Sequence, residues 1–182
     1  MSAQRDADTR RLGRTMGFLA TAAFLGLGWV SFHDVIERRE HPNRNLVVEP
    51  GASELVLRRD RAGHYRFPGW INGRPVRFLL DTGATHVAVP AHLAEALQLA
   101  PGARGTAVTA NGSVAVRETS IGELAFGPFR LTGVRGHLNP GMKDDEVLLG
   151  MSVLKHLDFA QRGNILVLRP VQRAADTRDG RT

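Results

Sequence analysis

Residues 76–90 read VRFLLDTGATHVAVP. Apolar side chains recur up to Leu80, the run stops at Asp81, and a second short apolar run at 87–89 leaves the turn and ends at Pro90. This pattern predicts two β segments joined by a tight turn, with the acid at the end of the first segment. Such a position is unusual for a solvating charge. Asp81 is therefore a candidate catalytic residue.

The chemistry that fits this turn is peptide hydrolysis by a water molecule held between two carboxylic acids. Two acids a few ångströms apart cannot both ionise easily, so they share one proton. One can then accept a proton from water while the other donates a proton to the substrate carbonyl. Thr82 can fix the turn through its hydroxyl, and Gly83 permits backbone conformations that a Cβ would forbid.

The segment 79–85, LLDTGAT, resembles the signature of the retropepsin-like aspartic proteases, a hydrophobic pair and then Asp-Thr-Gly followed by Ala or Ser. The resemblance is closest to the membrane-anchored, single-domain bacterial members and extends over about 65–168. It implies an all-β, single-domain acid protease barrel with a flap hairpin and short helices. It also implies that Asp81 is catalytic and that Thr82, Gly83 and Ala84 form the active-site turn.

Residues 105–118 read GTAVTANGSVAVRE and form two alternating arms around Asn111-Gly112, a pair typical of a tight hairpin turn. From the residues alone, this is an ordinary surface hairpin. In the family it resembles, however, a flap that folds over the substrate lies at this place. The resemblance implies that Thr109, Ala110, Asn111 and Gly112 form the flap tip, which covers the peptide and excludes water.

Residues 147–150, VLLG, resemble the family's hydrophobic-hydrophobic-Gly element, which passes behind the catalytic turn. The resemblance implies a structural role there for Leu148, Leu149 and Gly150, with the glycine allowing close packing. From the residues alone, the stretch is a buried strand that ends at a glycine. The following residues 151–157, MSVLKHL, correspond to the short helix that comes next in the family.

The remaining chain supplies further β elements and turns. Asn72-Gly73 predicts a hairpin turn ahead of Asp81, and Pro90 is placed to open a helix over 91–99. Residues 143–146, KDDE, are interpreted as a solvated turn, because a calcium loop needs more oxygen ligands at defined spacing. Further strands are expected at 46–48, 55–57, within 121–138 and at 165–168.

Composition excludes several classes of function. The chain has 182 residues, which suits one domain plus extensions, and no cysteine, which excludes thiol catalysis, thiolate metal sites and disulfides. The net charge is +6, but the basic residues are scattered among acids, so no nucleic-acid partner is expected. No histidine pair has zinc spacing, and neither a metal nor another cofactor is predicted. His86 is interpreted as a residue at the rim of the site, in preference to a role as a catalytic base.

The N-terminal part carries a long apolar run. Residues 16–32 are 17 residues without a charge, preceded by four arginines, which is sufficient for a membrane-spanning helix. A cleaved signal peptide is the alternative, although no clear Ala-x-Ala site follows; a buried soluble helix fits less well because all faces are apolar. We expect a single-pass anchor in the inner (cell) membrane, with the catalytic domain periplasmic or extracytoplasmic. The expected order is a cytoplasmic segment 1–15, a transmembrane helix 16–33, a juxtamembrane linker and edge strand 34–54, a protease domain 55–170 and a disordered tail 171–182.

The mechanism needs two acids, but the chain has one Asp-Thr-Gly triplet and no Asp-Ser-Gly. The pairs Asp8-Thr9 and Asp176-Thr177 are each followed by arginine and lie outside the domain. A complete site therefore requires a homodimer in which Asp81 of each chain meets its copy on a twofold axis.

These features predict a membrane-anchored aspartic endopeptidase that hydrolyses protein or peptide substrates with a water activated by two Asp81 carboxylates. The alternative is a catalytically inactive module of the same fold, which binds a peptide uncut or acts as an envelope scaffold. A fold can host such loss of activity, so the sequence leaves this alternative open.

Overall fold

The computed structural model describes residues 16, 21–29, 40–46, 49, 51–109 and 112–171. The chain divides into two compact units, Met1–Glu40 and His41–Thr182. In the first unit, residues 21–29 are helical and their side chains are exposed. Among the described residues, no helix is both long and apolar enough to cross a membrane. The rest of the predicted span 16–33 lies outside the described residues, as do 1–15 and 172–182.

The described part of the second unit contains ten strands, which belong to two sheets. In chain order the strands are β1 (Leu55–Arg58), β2 (Arg66–Ile71), β3 (Arg74–Leu80), β4 (Val87–Pro90), β5 (Arg104–Thr109), β6 (Gly112–Phe126), β7 (Phe129–Asn139), β8 (Glu146–Leu149), β9 (Leu157–Arg162) and β10 (Ile165–Pro170). A 3₁₀ turn, Ala91–Leu93, follows β4, and a short α-helix, α1 (Met151–Leu154), follows β8.

The larger sheet closes on itself. Its seven strands follow the order β2-β3-β8-β4-β7-β6-β5, and β2 also pairs with β6 through Trp70–Ala125 and Ile71–Leu124. This additional pairing closes six strands into a ring and leaves β5 attached through β6. The other three strands form an antiparallel sheet in the order β1-β10-β9. The prediction of an all-β barrel with short helices is confirmed.

Strand β8 lies between the two strands that flank Asp81. It runs parallel to β3, with Leu80 opposite Leu149, and antiparallel to β4, where Ala88 is opposite Leu148. Because both neighbours of the turn pair with the same strand, the position of the turn depends on β8.

The hairpin that carries Asp81 turns at the predicted residues. Asn72 and Gly73 have φ angles of 49° and 75°, which an Asn-Gly pair adopts at little cost. The Asn72 side chain also donates from Nδ2 to Leu97 O at 2.9 Å and accepts the Glu123 N–H at 3.0 Å. The turn residue therefore ties the hairpin to two other segments.

An aromatic cluster fills the inside of the ring. The rings of Phe67, Phe78 and Phe126 are fully buried, and their centroids lie 5.5 to 6.0 Å apart. Gly69 makes room for the cluster, because a Cβ at this position would lie 2.5 Å from Phe78 Cε2. The alternation of β2 and β3 thus directs one face of each strand into the core.

The prediction of a helix over 91–99 after Pro90 is wrong in its length. The structure has a 3₁₀ turn, Ala91–Leu93, followed by further turns that end at Gln98, whose φ is 56°. Leu97 is buried and Ala96 beside it is exposed. The physical reason is that Pro90 still pairs in β4 and Asn72 binds Leu97 O, so the segment folds back before a regular helix can form.

Two further details differ from the predictions. In the flap hairpin, Gly112 is the first residue of β6 and is opposite Thr109, whereas Asn111-Gly112 was expected to form the turn. Glu146 belongs to β8 and accepts a hydrogen bond from Arg66 Nε rather than lying in a solvated turn. Local sequence could not show either pairing, because the partner strand selects the register.

Buried and half-buried polar side chains join β1, β2 and β8. Arg66 on β2 donates from Nε to Glu146 Oε2 at 3.0 Å and from Nη1 to Asp60. Asn43, in the segment expected to be a linker, is buried, and its amide donates to Arg58 O and Arg66 O, both at 2.8 Å. This part of 34–54 therefore packs on the β-domain.

The pKa of Asp60 is held below its usual value of 3.8 in the folded protein. Burial alone would raise the pKa, but the His64 N–H and the Arg66 guanidinium, which donate to the carboxylate, outweigh burial and lower it. The folded pKa thus lies below the unfolded value. The resulting stabilisation is present above the unfolded value and is lost as pH falls through the folded pKa.

We expect Asp60→Asn to lower the free energy of unfolding near neutral pH by about 1–3 kcal/mol, because the buried carboxylate that pairs with Arg66 is lost. The difference from wild type should shrink as pH falls below about 4, where the unfolded wild-type carboxylate takes up a proton, and should vanish below the lower pKa of the folded state. Urea unfolding across this pH range measures both effects. Asp145→Asn is the control, since that side chain is 83% exposed and should change stability little. An equal loss in both variants would contradict the assignment.

Candidate active site

Asp81 follows the last residue of β3, and both its main chain and its side chain are held. Its N–H donates to Leu149 O at 3.2 Å, and its carbonyl accepts the Ala84 N–H at 3.3 Å. Its Oδ1 accepts the Gly83 N–H at 2.9 Å. Oδ2 makes no hydrogen bond to a described residue, and the side chain is partly exposed. One carboxylate oxygen is therefore fixed while the other is available.

The next two residues of the triplet lie on the surface. Thr82 is exposed, and its hydroxyl makes no hydrogen bond to the described part of the chain, so it does not hold the turn within one chain as expected. Gly83 has no positive φ angle. Its missing side chain matters for another reason, because a Cβ would lie 3.2 Å from Asp81 Oδ1. Glycine thus leaves space beside the carboxylate.

The chain after β8 holds the turn from behind. The Met151 N–H donates to Ala84 O at 2.8 Å, and the Ser152 N–H donates to Thr85 O at 2.9 Å. A Cβ on Gly150 would lie 2.6 Å from Ala84 O and nearer still to His86 O. The close packing predicted for Gly150 is present, and Leu149 accepts the Asp81 N–H in the same region.

Ser152 is a residue that the sequence analysis missed. Its hydroxyl accepts the Val87 N–H and donates to Arg135 O, both at 3.2 Å. One side chain thereby joins the start of α1 to β4 and β7. No local pattern indicated this contact, because Val87 and Arg135 are far from Ser152 in sequence.

The predicted flap residues lie at the end of the β5–β6 hairpin. The Thr109 hydroxyl donates to Gly112 O at 2.8 Å and closes the hairpin, while Ala110 and Asn111 lie outside the described residues. Val108 is 86% exposed, although it is apolar. An exposed apolar side chain beside the tip fits a hairpin that covers another molecule.

His86 lies two residues beyond Ala84, and its ring is packed edge-on against His137 at a centroid distance of 4.7 Å. Burial lowers the pKa of His86 below 6.5, and the nearby charges of His137, Arg135 and Lys155 lower it further, while Glu118 opposes them. The neutral ring is therefore favoured. Its Nδ1 is buried without a hydrogen-bond partner among the described residues.

No group of three or more histidine or acidic side chains within the described ranges is arranged to hold a metal ion.

Comparison with known proteins agrees with this geometry. Residues 67–156 match the family described as "gag-polyprotein putative aspartyl protease". The crystal structure of a retropepsin-like aspartic protease from Rickettsia conorii matches 64% of this chain and 90% of that chain, at 28% sequence identity and a TM-score of 0.55. The chain belongs to the retropepsin-like aspartic protease family.

This retropepsin-like chain also resembles an uncharacterized protein encoded in the cobV 5′ region of a Sinorhizobium species. The two are 30% identical over 125 residues, which are 66% of this chain and 54% of the relative. The chain thus spans about half the length of that curated relative. The family predicted from LLDTGAT is confirmed, and all the predicted site residues fall inside the matched range 67–156. Family and fold together support a protease.

We expect Gly150→Ala to destabilise the retropepsin-like domain by about 1–3 kcal/mol or more, because the new methyl group meets two backbone carbonyls that cannot move independently. Gly105→Ala is the matched control, since its Cβ would find only Val116 Cγ2 at 3.8 Å. Thermal and urea unfolding of both variants measure the difference. Similar stabilities for the two variants would show that the Asp81 turn does not depend on the absence of a side chain at Gly150.

Proposed function

We propose that this chain is a homodimeric, membrane-anchored aspartic endopeptidase. The observation that carries the proposal is the Asp81 carboxylate, which has one oxygen bonded to the Gly83 N–H and the other without a partner in the described chain. A preorganised acid with one free oxygen is what proton transfer to and from a water molecule needs. Membership of the retropepsin-like family supports the same chemistry.

In the proposed reaction, the two Asp81 carboxyl groups of a dimer share one proton. The ionised one accepts a proton from water, whose oxygen attacks the peptide carbonyl carbon while the protonated one donates its proton to the carbonyl oxygen. The tetrahedral species then collapses: the proton that water gave up passes to the leaving amine, and one hydroxyl of the tetrahedral species returns a proton to the other Asp81, which restores the shared proton. The C–N bond breaks, and an acid and an amine are released.

A second copy is needed because the chain supplies one Asp-Thr-Gly triplet. The exposed surfaces of Thr82 and Gly83 support pairing at this turn, since the unbonded Thr82 hydroxyl can meet groups of another chain. A shared membrane would favour the dimer further by raising the effective concentration of both chains. The uncharged run 16–32 after four arginines supports such an anchor.

We expect Asp81→Asn to reduce peptide cleavage by at least about a thousandfold while fold and dimer persist, because an amide cannot serve as the acid or base. Asp145→Asn, an exposed acid-to-amide change, is the control and should cleave like wild type. Turnover of a diverse peptide library by purified full-length protein, with circular dichroism and sedimentation, measures both. Undiminished turnover in Asp81→Asn would end the proposed mechanism.

The same assay separates the enzyme from an inactive peptide-binding or scaffold module. An enzyme that needs two chains gains specific activity steeply as protein concentration rises through the dimer dissociation range. Peptide analogues that imitate the tetrahedral species should then bind more tightly than the substrate they resemble. Absence of cleavage by dimeric wild-type protein would favour the inactive module.

The anchor and its orientation form a separate expectation. A reporter enzyme fused after Thr182 should be active in its extracytoplasmic form and inactive in its cytoplasmic form, because the upstream arginines favour an inside N-terminus. Replacing the four arginines before residue 16 by glutamine should weaken this orientation. A cytoplasmic signal from the unmodified fusion would reverse the proposed localisation.

A further inference from the structure

A cleft of about 550 Å³ lies beside the catalytic turn. Its walls come from three places: Thr85 and His86, which leave the turn; Arg135 on β7; and Ser152 and Lys155, in and just after α1. Ser152 and Thr85 are also hydrogen-bonded to each other, since the Ser152 N–H donates to Thr85 O at the end of the turn. The cleft is therefore built from the elements that position Asp81.

All the titratable side chains that line the cleft are basic. Arg135 and Lys155 are exposed, His156 and His86 add two imidazole rings, and no aspartate or glutamate is among the lining residues. Neither Arg135 nor Lys155 forms an ion pair with a described residue. Arg130 on the same strand, by contrast, is paired with Glu123. The positive charge in the cleft is thus unbalanced by its walls.

The groups around the His86 ring also carry more positive than negative charge. His137 on β7 packs against its ring, Arg135 and Lys155 add positive charge, and Glu118 on β6, opposite His137, is the acid that acts against them. The buried Nδ1 of His86 has no hydrogen-bond partner in the described chain. A negatively charged ligand would offset the crowding of these bases and favour a protonated ring.

We propose that this cleft binds an oxyanion, a carboxylate or a phosphate group, between Arg135 and Lys155. An arginine and a lysine that converge on one space form charge-assisted hydrogen bonds with such a group, and the nearby imidazoles add donors. The oxyanion belongs either to an acidic side chain of a bound peptide or to a free small anion. The proposal goes beyond peptide cleavage and holds whether or not Asp81 is active.

The first experiment uses inorganic phosphate and full-length protein. Phosphate is titrated while the imidazole NMR signals of His86, His137 and His156 are recorded over a pH series. We expect saturable shifts and a higher pKa of His86 with phosphate bound. The double variant Arg135→Gln/Lys155→Gln should bind phosphate at least about tenfold more weakly, because both cations are lost.

The matched control is Arg130→Gln/Lys143→Gln, which removes the same net charge from residues outside the cleft and should bind phosphate like wild type. Equal weakening in both double variants would show a general charge effect and overturn the site. Histidine signals of the wild type that do not respond to phosphate would overturn it for small anions and leave the peptide arm as the remaining test.

The peptide arm uses the Asp81→Asn background, in which binding is read without cleavage. Peptides that differ only by glutamate or glutamine at one position are compared by fluorescence anisotropy. A glutamate preference of about tenfold that disappears in Arg135→Gln/Lys155→Gln, and that phosphate competes away, assigns the cleft to a peptide carboxylate. Phosphate binding without such a preference assigns it to a free anion. Failure of both arms overturns the proposal.

Discussion

The insertion of β8 between β3 and β4 is the constraint on which the site depends. The two strands that flank Asp81 are separated by this third strand, which arrives from much later in the chain. Leu149 O accepts the Asp81 N–H, and Gly150 then passes directly beneath the carbonyls of Ala84 and His86. A side chain at Gly150 would push these carbonyls away, so the observed shape of the turn requires glycine at this position.

A second layer of contacts fixes β8 itself. Arg66 joins β2 to Glu146 at the start of β8, and Ser152 joins the residues after β8 to β4 and β7. The strand is thus held by polar side chains at both ends and by the buried aromatic cluster alongside. Such contacts keep the unbonded oxygen of Asp81 in one place, which is the preorganisation that acid–base chemistry needs.

The same packing produces the basic cleft. Because α1 folds back against β7 and the end of the turn, Lys155 and Arg135 are brought to one space beside His86. An anion bound there would contact the segment that holds the turn. The fold therefore offers a physical connection between a charged ligand and the geometry of Asp81, through Thr85 and Ser152.

The sequence by itself determined the local features: a strand ending at Asp81, the Asn72-Gly73 hairpin, the buried strand before Gly150, and the family. These features depend on residues that are close together in sequence. Their spacing indicates the two-residue period of a strand, and their residue types indicate where positive φ angles are adopted. Only the tertiary structure decided the register of the flap hairpin, the short 3₁₀ turn after Pro90, the link through Ser152 and the cluster of bases around His86. Each of these results from pairing between distant segments, and sequence spacing carries no record of which strand lies beside which.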